Sequence, residues 1–235
     1  MQEYDRKIVQ ELLKVKKPAV DYRDFRLRKL NSSEFCHLKY LLYWPVCGVA
    51  FMFLERFYHP KVWHSISCEL DSIIPFNEWF VVPYLLWFVF LIGMMAYMAL
   101  YDVDSFKKMS RFMMITYTVT IIIYFIYPNV QELRPTSFER DNVLTRLVAF
   151  IYTVDTNTNV CPSLHVVGSV AAMSAGLHCP QFQNTGWRVL FVLTASFTSI
   201  STVFLKQHSA VDLLVALPLC LAAYHICYHS EMRKA

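Results

Sequence analysis

Long apolar runs separated by short polar stretches set the first expectation for this chain. They fall near residues 38–57, 80–100, 111–127, 163–178, 187–205 and 209–228, and about 20 mainly apolar residues suffice to cross the hydrocarbon of a bilayer. The pattern predicts an all-α integral membrane bundle of six transmembrane helices, because only helices and closed barrels satisfy their backbone N–H and C=O groups in lipid. The fourth run is short and the fifth carries several Ser and Thr. Both features suit helices packed inside a bundle, where small residues let backbones approach closely. No repeat, low-complexity stretch or composition shift marks a second domain, so the expected division is a basic segment over 1–37, a six-helix membrane domain over 38–228 and a tail over 229–235.

The segment before the first run holds nine Lys and Arg against six acids, with Ile8, Val9, Leu12 and Leu13 at helical spacing until Pro18. It reads either as a solvated tail or as an amphipathic segment lying on an anionic leaflet. Its opening, Met1 to Lys7, lacks the basic-then-apolar build of a cleavable signal, so the first run is expected to remain as an anchor. An excess of Lys and Arg marks cytoplasmic loops. Both termini therefore thread to the cytoplasm, as do 101–110, with Lys107 and Lys108, and 179–186 beside Arg188. The segments 58–79, 128–162 and 206–208 fall on the outer or lumenal face. In 58–79, Trp63, Ile66, Leu70 and Trp79 suit either an interfacial anchor or a lid over a lipid entrance.

Composition agrees with the pattern. At 56% hydrophobic and 17% charged residues, with a mean hydropathy of +0.35, the chain does not describe a soluble core. A net charge of only +4 gives no support to a nucleic-acid partner. The seven cysteines are scattered without a CxxC pair, which points to neither a zinc site nor a disulfide framework.

Candidate chemistry then collects on the predicted outer face. Arg134-Pro135 follows the third run, Pro162-Ser163-Leu164-His165 opens the fourth, and Ser201 to Asp212 joins the last two. Pro at a helix start, with Ser163 and His165 in the first turn, offers free amides and the positive end of a dipole to an anion such as phosphate. Arg134 supplies a planar cationic fork matched to phosphate oxygens. His165 and His208 are two imidazoles able to attack phosphorus and to protonate a leaving oxygen. Asp212, four residues after His208, can fix that ring's tautomer if the turn brings them together. Taken singly, each residue also has an ordinary reading: a headgroup contact for the histidines, a helix cap for Asp212, a snorkelling side chain for Arg134.

Together these residues resemble the type 2 phosphatidic acid phosphatase superfamily, the lipid phosphate phosphatases, whose signature is KxxxxxxRP, PSGH and SRxxxxxHxxxD. Arg134 and Pro135 match the end of the first motif. Pro162, Ser163 and His165 match the second with Leu164 in place of Gly, and Ser201, His208 and Asp212 match the third. The resemblance covers residues 38–228 and implies His208 as nucleophile of a phospho-histidine intermediate, Asp212 as its orienting partner and His165 as acid. Arg134, Ser163 and Ser201 would bind the phosphoryl oxygens, and no metal or cofactor is required. Tyr127 and Thr202 stand where the family has Lys and Arg, so Lys206, with Arg140 and Arg146 behind it, is the candidate replacement cation. Leu164, Thr202 and Lys206 give a weaker resemblance to the inositol phosphorylceramide synthase branch.

The expectation for function is a membrane lipid phosphatase acting on a phospholipid or isoprenoid phosphate, monoester or diphosphate. The alternatives are a phosphotransferase that moves a phospho-headgroup to a lipid hydroxyl, and a non-catalytic lipid-binding relative. A transporter fits less well, because the ionisable residues gather at one face instead of pairing inside the spans.

Overall fold

A computed structural model describes residues 18–229, so the predicted helical spacing of Ile8 to Leu13 and the end of the tail lie outside the described residues. The chain forms α1 (Tyr43–Arg56), α2 (Glu69–Ile73), α3 (Val81–Tyr101), α4 (Val103–Ile126), α5 (Val143–Val154), α6 (Leu164–His178), α7 (Thr185–Phe204) and α8 (Ala210–Tyr224). Two short strands, β1 (His64–Ser65) and β2 (Asn129–Val130), pair in parallel.

Five helical stretches among the described residues are long and apolar enough to cross a membrane: Cys36–Arg56, Glu78–Tyr101, Val103–Ile126, Thr185–Phe204 and Ala210–His229. They fit a multi-pass membrane protein. Much of their surface is apolar and uncovered. On α8, for instance, Leu214, Leu217 and Leu221 are exposed along one stripe at helical spacing. The predicted fourth span, α6, has only 15 residues and falls short of a full crossing by length. It occupies the middle of the bundle, packed against α3, α4, α7 and α8.

The composition of α6 explains its position. Val167, Ala171, Ala172 and Ala175 are fully buried, and they meet Phe106, Phe112 and Met113 of α4 in one core cluster. Between apolar helices in lipid no hydrophobic force separates partner from solvent, so close packing carries the association. Gly176 is the tightest contact: a Cβ there would stand 2.6 Å from the Phe191 ring of α7.

Two boundaries differ from expectation. The predicted loop over 101–110 is helical from Val103, and α3 and α4 are separated by Asp102 alone. Asp102 caps α4 by accepting from the Ser105 amide at 3.1 Å and the Ser105 hydroxyl at 2.9 Å. The lysines that read as loop charges therefore ride on the first turns of a helix. Inside the predicted 128–162 loop lies α5, capped by Asn142, which accepts from the amides of Leu144 and Thr145.

The segments joining helix ends at 57–80, 127–163 and 205–209 all gather at one end of the bundle, here the site end. β1 to β2 pairing ties the first two together, with His64 opposite Asn129 and Ser65 opposite Val130. The Asn129 side chain is fully buried and accepts from the amides of Val160 and Cys161 at 2.8 and 2.9 Å, which holds the strand of chain leading into α6.

Candidate functional site

The turn between α7 and α8 is built by backbone acceptors and one unusual residue. Thr202 O accepts from the amides of Gln207 and His208 at 2.8 and 3.1 Å. Lys206 adopts a φ of 53°, the left-handed region that costs a residue with a Cβ about 1–2 kcal/mol. Three contacts offset that cost. Lys206 Nζ donates to Asp71 O at 2.7 Å and Ile74 O at 2.5 Å, and Gln131 Nε2 donates to Lys206 O at 2.9 Å. The turn then delivers Ser209 as N-cap of α8, with Asp212 closing a capping box on the Ser209 amide at 3.0 Å.

The same Asp212 oxygen, Oδ2, lies 3.0 Å from His208 Nδ1, and both side chains are buried. With the carboxylate accepting, the ring carries its proton on Nδ1 and Nε2 keeps a lone pair. His165, in the first turn of α6, faces His208 with ring centroids 5.5 Å apart. Tyr84 and Trp87 of α3 flank it at 4.7 and 4.6 Å, and its Nε2 is buried without a hydrogen-bond partner among the described residues. Ser163 is fully buried, and its hydroxyl also has no partner among the described residues. The Ser163 amide donates to Asp212 O at 3.3 Å and thereby joins the start of α6 to the first turn of α8.

His165, His208 and Gln207, with Tyr84 and Trp87 and the rings of Phe51, Phe88 and Phe150, line a cavity of about 460 Å³. Its polar wall adds Asp155, which accepts from the Tyr84 hydroxyl at 2.9 Å, and Thr156 and Asn159. Thr156, Thr158 and Asn159 all donate to Glu55 at the end of α1. No Lys or Arg among the described residues lines the cavity.

The predicted phosphate cations lie elsewhere. Arg134 is half-buried behind Gln207, donating to Gln207 Oε1 at 2.5 Å, Asp155 O at 2.8 Å, Thr156 O at 2.7 Å and Tyr152 O at 3.2 Å. It also covers the Tyr152 ring at 4.5 Å. Burial draws its guanidinium below the ordinary value, against the pull of Asp155. Lys206 is not brought to the cavity: its ammonium is turned to the carbonyls of the 66–77 segment, and burial lowers its pKa against the neighbouring Asp71. Arg140 pairs with Glu78 and Arg146 with Asp141. Ser201 is buried with its hydroxyl on Thr198 O at 2.6 Å, a helix-backbone contact. Tyr127, at the family's Lys position, stacks on His64 at 3.9 Å.

One residue of this arrangement escaped the motif pattern. Asp71 on α2 is 3% exposed, and it accepts from the Ser209 hydroxyl at 2.5 Å, the Ala210 amide at 2.8 Å and the Cys68 amide at 2.8 Å. Burial pushes its pKa up, but these three donors more than offset that and hold the carboxyl below its ordinary range. A single carboxylate thus caps α2 and the start of α8 together, fixing the turn that carries His208. In the sequence it is one of three acids in the 58–79 segment, with Glu69 and Glu78, and nothing in that pattern singles it out.

No protein family, curated protein or solved structure matches this chain.

Proposed function

We propose that this protein is a membrane enzyme transferring a phosphoryl group from a lipid, in the manner of the type 2 phosphatidic acid phosphatases that its motifs resemble, with the site on the outer or lumenal face of a six-helix bundle in which α6 is the short member. The observation that carries the reading is His208, held through Nδ1 by Asp212, facing His165 across a cavity beside the start of α6. His208 Nε2 would attack phosphorus, forming an N–P bond as the P–O bond to the lipid breaks. His165 would pass a proton to the departing oxygen. Water would then attack phosphorus, the N–P bond would break, and His165 would take up water's proton, releasing inorganic phosphate. The N-terminus of α6, whose first-turn His165 lines the cavity, supports oxyanion binding there. The positive charge of Arg134 acts from behind Gln207 and orders the wall without contacting the cavity.

A second reading draws on the absence of Lys and Arg from the cavity wall. A phosphate monoester carries close to two negative charges near neutral pH, whereas a diester carries one, and an uncharged wall suits the diester better. On that reading the phosphohistidine keeps a headgroup and passes it to a lipid hydroxyl. Incubating the purified protein with labelled phosphatidate and labelled phosphatidylinositol, with and without ceramide or diacylglycerol, separates the two. Free phosphate from phosphatidate supports hydrolysis, and a new acceptor-dependent phospholipid supports transfer. Neither product from a folded sample would sink both and leave a lipid binder.

A further inference from the structure

We infer that the cavity takes a lipid whose headgroup carries an ammonium beyond the phosphate, as choline and ethanolamine esters do, with Asp155 and the aromatic wall as its binding site. The inference rests on the second reading above, in which the headgroup stays with phosphorus. Asp155 lines the cavity together with both histidines. Its Oδ2 accepts from the Tyr84 hydroxyl at 2.9 Å and, more weakly, from Gln207 Nε2 at 3.5 Å. The Tyr84 ring packs on His165, and Gln207 directly precedes His208. A single intervening residue therefore links this carboxylate to each imidazole.

The charge of Asp155 is left uncompensated by contact. The residue is half-buried, and its Oδ1 accepts no hydrogen bond among the described residues yet is not enclosed, unlike Ser163 Oγ or His165 Nε2. Arg134 bonds the carbonyls of Tyr152, Asp155 and Thr156 and the Gln207 side-chain oxygen, not the Asp155 carboxylate. It serves the carbonyl end of α5. Asp155 is the C-cap of that helix, at the negative end of the dipole, where a carboxylate is disfavoured and a cation is welcome. Close by, the Glu55 carboxylate accepts from Thr156, Thr158 and Asn159 of the same wall.

The rings supply the second half of the argument. Phe51 and Trp87 are half-buried and Phe88 and Phe150 exposed, and all four line the cavity. Trp87 and Phe88 stand at 80° with centroids 4.9 Å apart, forming a corner. The face of an aromatic ring attracts a cation within about 6 Å, tryptophan most strongly, and quaternary ammonium groups are recognised in this way. A phosphate monoester brings nothing to such a wall. An inositol or glycerol headgroup offers Asp155 a hydroxyl but gains no attraction from the ring faces. An ammonium on a two-carbon arm uses both.

The test compares dioctanoyl phosphatidylcholine with the 3,3-dimethylbutyl ester of dioctanoyl phosphatidate, which has the shape of choline without its charge, by equilibrium binding to full-length protein in neutral detergent. Dioctanoyl phosphatidylethanolamine and its neutral propyl isostere form the second pair, and dioctanoyl phosphatidylinositol is the polyol reference. We expect an ammonium lipid to bind about tenfold more tightly than its isostere. Asp155→Asn keeps an acceptor for the Tyr84 hydroxyl, and should cut that preference to about threefold or less while leaving the isostere's affinity within about twofold. Preference within the choline pair alone assigns the ammonium to the ring faces, and within the ethanolamine pair alone to hydrogen bonds on Asp155. Equal affinity of the wild-type protein within both pairs overturns the inference whether or not the variant folds. So does a preference undiminished in Asp155→Asn, or tighter binding of phosphatidylinositol than of either ammonium lipid. Turnover is scored separately: preference without phosphoryl transfer keeps this site and sinks the reaction, and transfer without preference does the reverse.

Discussion

The two ends of α6 each carry a histidine among aromatic rings, and only one of them has a nitrogen to spare. His178, in the last turn, has Nδ1 at 2.8 Å from Ser174 O and Nε2 at 3.1 Å from the Tyr224 hydroxyl, with Tyr228 alongside. His165, in the first turn, has Nε2 buried without a partner among the described residues, in the wall of a cavity that also holds His208. The positive end of the helix dipole lies at His165, beside the cavity, and the negative end at His178. Residue type, helix and aromatic company are the same in both places. Hydrogen-bond vacancy, the facing dyad and the direction of the helix are what separate a structural histidine from a candidate for chemistry.

The comparison can be broken most directly at the dyad. His208→Ala is expected to lower phosphoryl release by at least about a thousandfold, measured as phosphate from labelled phosphatidate, and comparable activity in wild type and variant would end the proposal. Next come the two ends of α6. His165→Ala should cost about a hundredfold or more in kcat, whereas His178→Ala should stay within about twofold, and equal losses would erase the distinction between them.

Asp71 tests the support instead of the chemistry. Asp71→Ala leaves the Ser209 hydroxyl and two amides without their acceptor, and we expect a loss of about 2–4 kcal/mol of stability together with reduced kcat, read by thermal unfolding and turnover. Because the folded carboxyl is held below its ordinary value of 3.8, its contribution is fully present above that pH. It disappears as pH falls through the folded value. Wild type should therefore lose more stability than Asp71→Ala on acidification below about pH 4. A small effect is also expected at Lys206: Lys206→Gly gains the residue best suited to positive φ while losing two hydrogen bonds, and should keep activity within about threefold. A loss as large as that at His165 would return Lys206 to the role of phosphate cation.

Much of this was legible in the chain. The apolar runs located the long helices, since about 20 such residues have few other uses, and the spacing of His208 and Asp212 anticipated their contact. The start of α4 was hidden because Lys107 and Lys108 at a helix end resemble loop charges, and only the Asp102 cap reveals otherwise. The helix α5 was hidden inside a segment that read as an outer loop. Lys206 was misleading for a different reason. Its charge matched an expected cation, but its left-handed backbone and the carbonyls of Asp71 and Ile74 are set by chain more than a hundred residues away, which spacing cannot report. Asp71 shares that origin.

Asp102 has one more effect, on mechanics. Because a single residue joins α3 to α4, that hairpin has no slack, and a vertical shift of one helix drags the other. Tyr84 and Trp87 from α3, and Tyr117 and Tyr124 from α4, line the same cavity. Those two walls behave as one stiff jaw, and Phe51 of α1 extends it, its ring 6.4 Å from that of Tyr124.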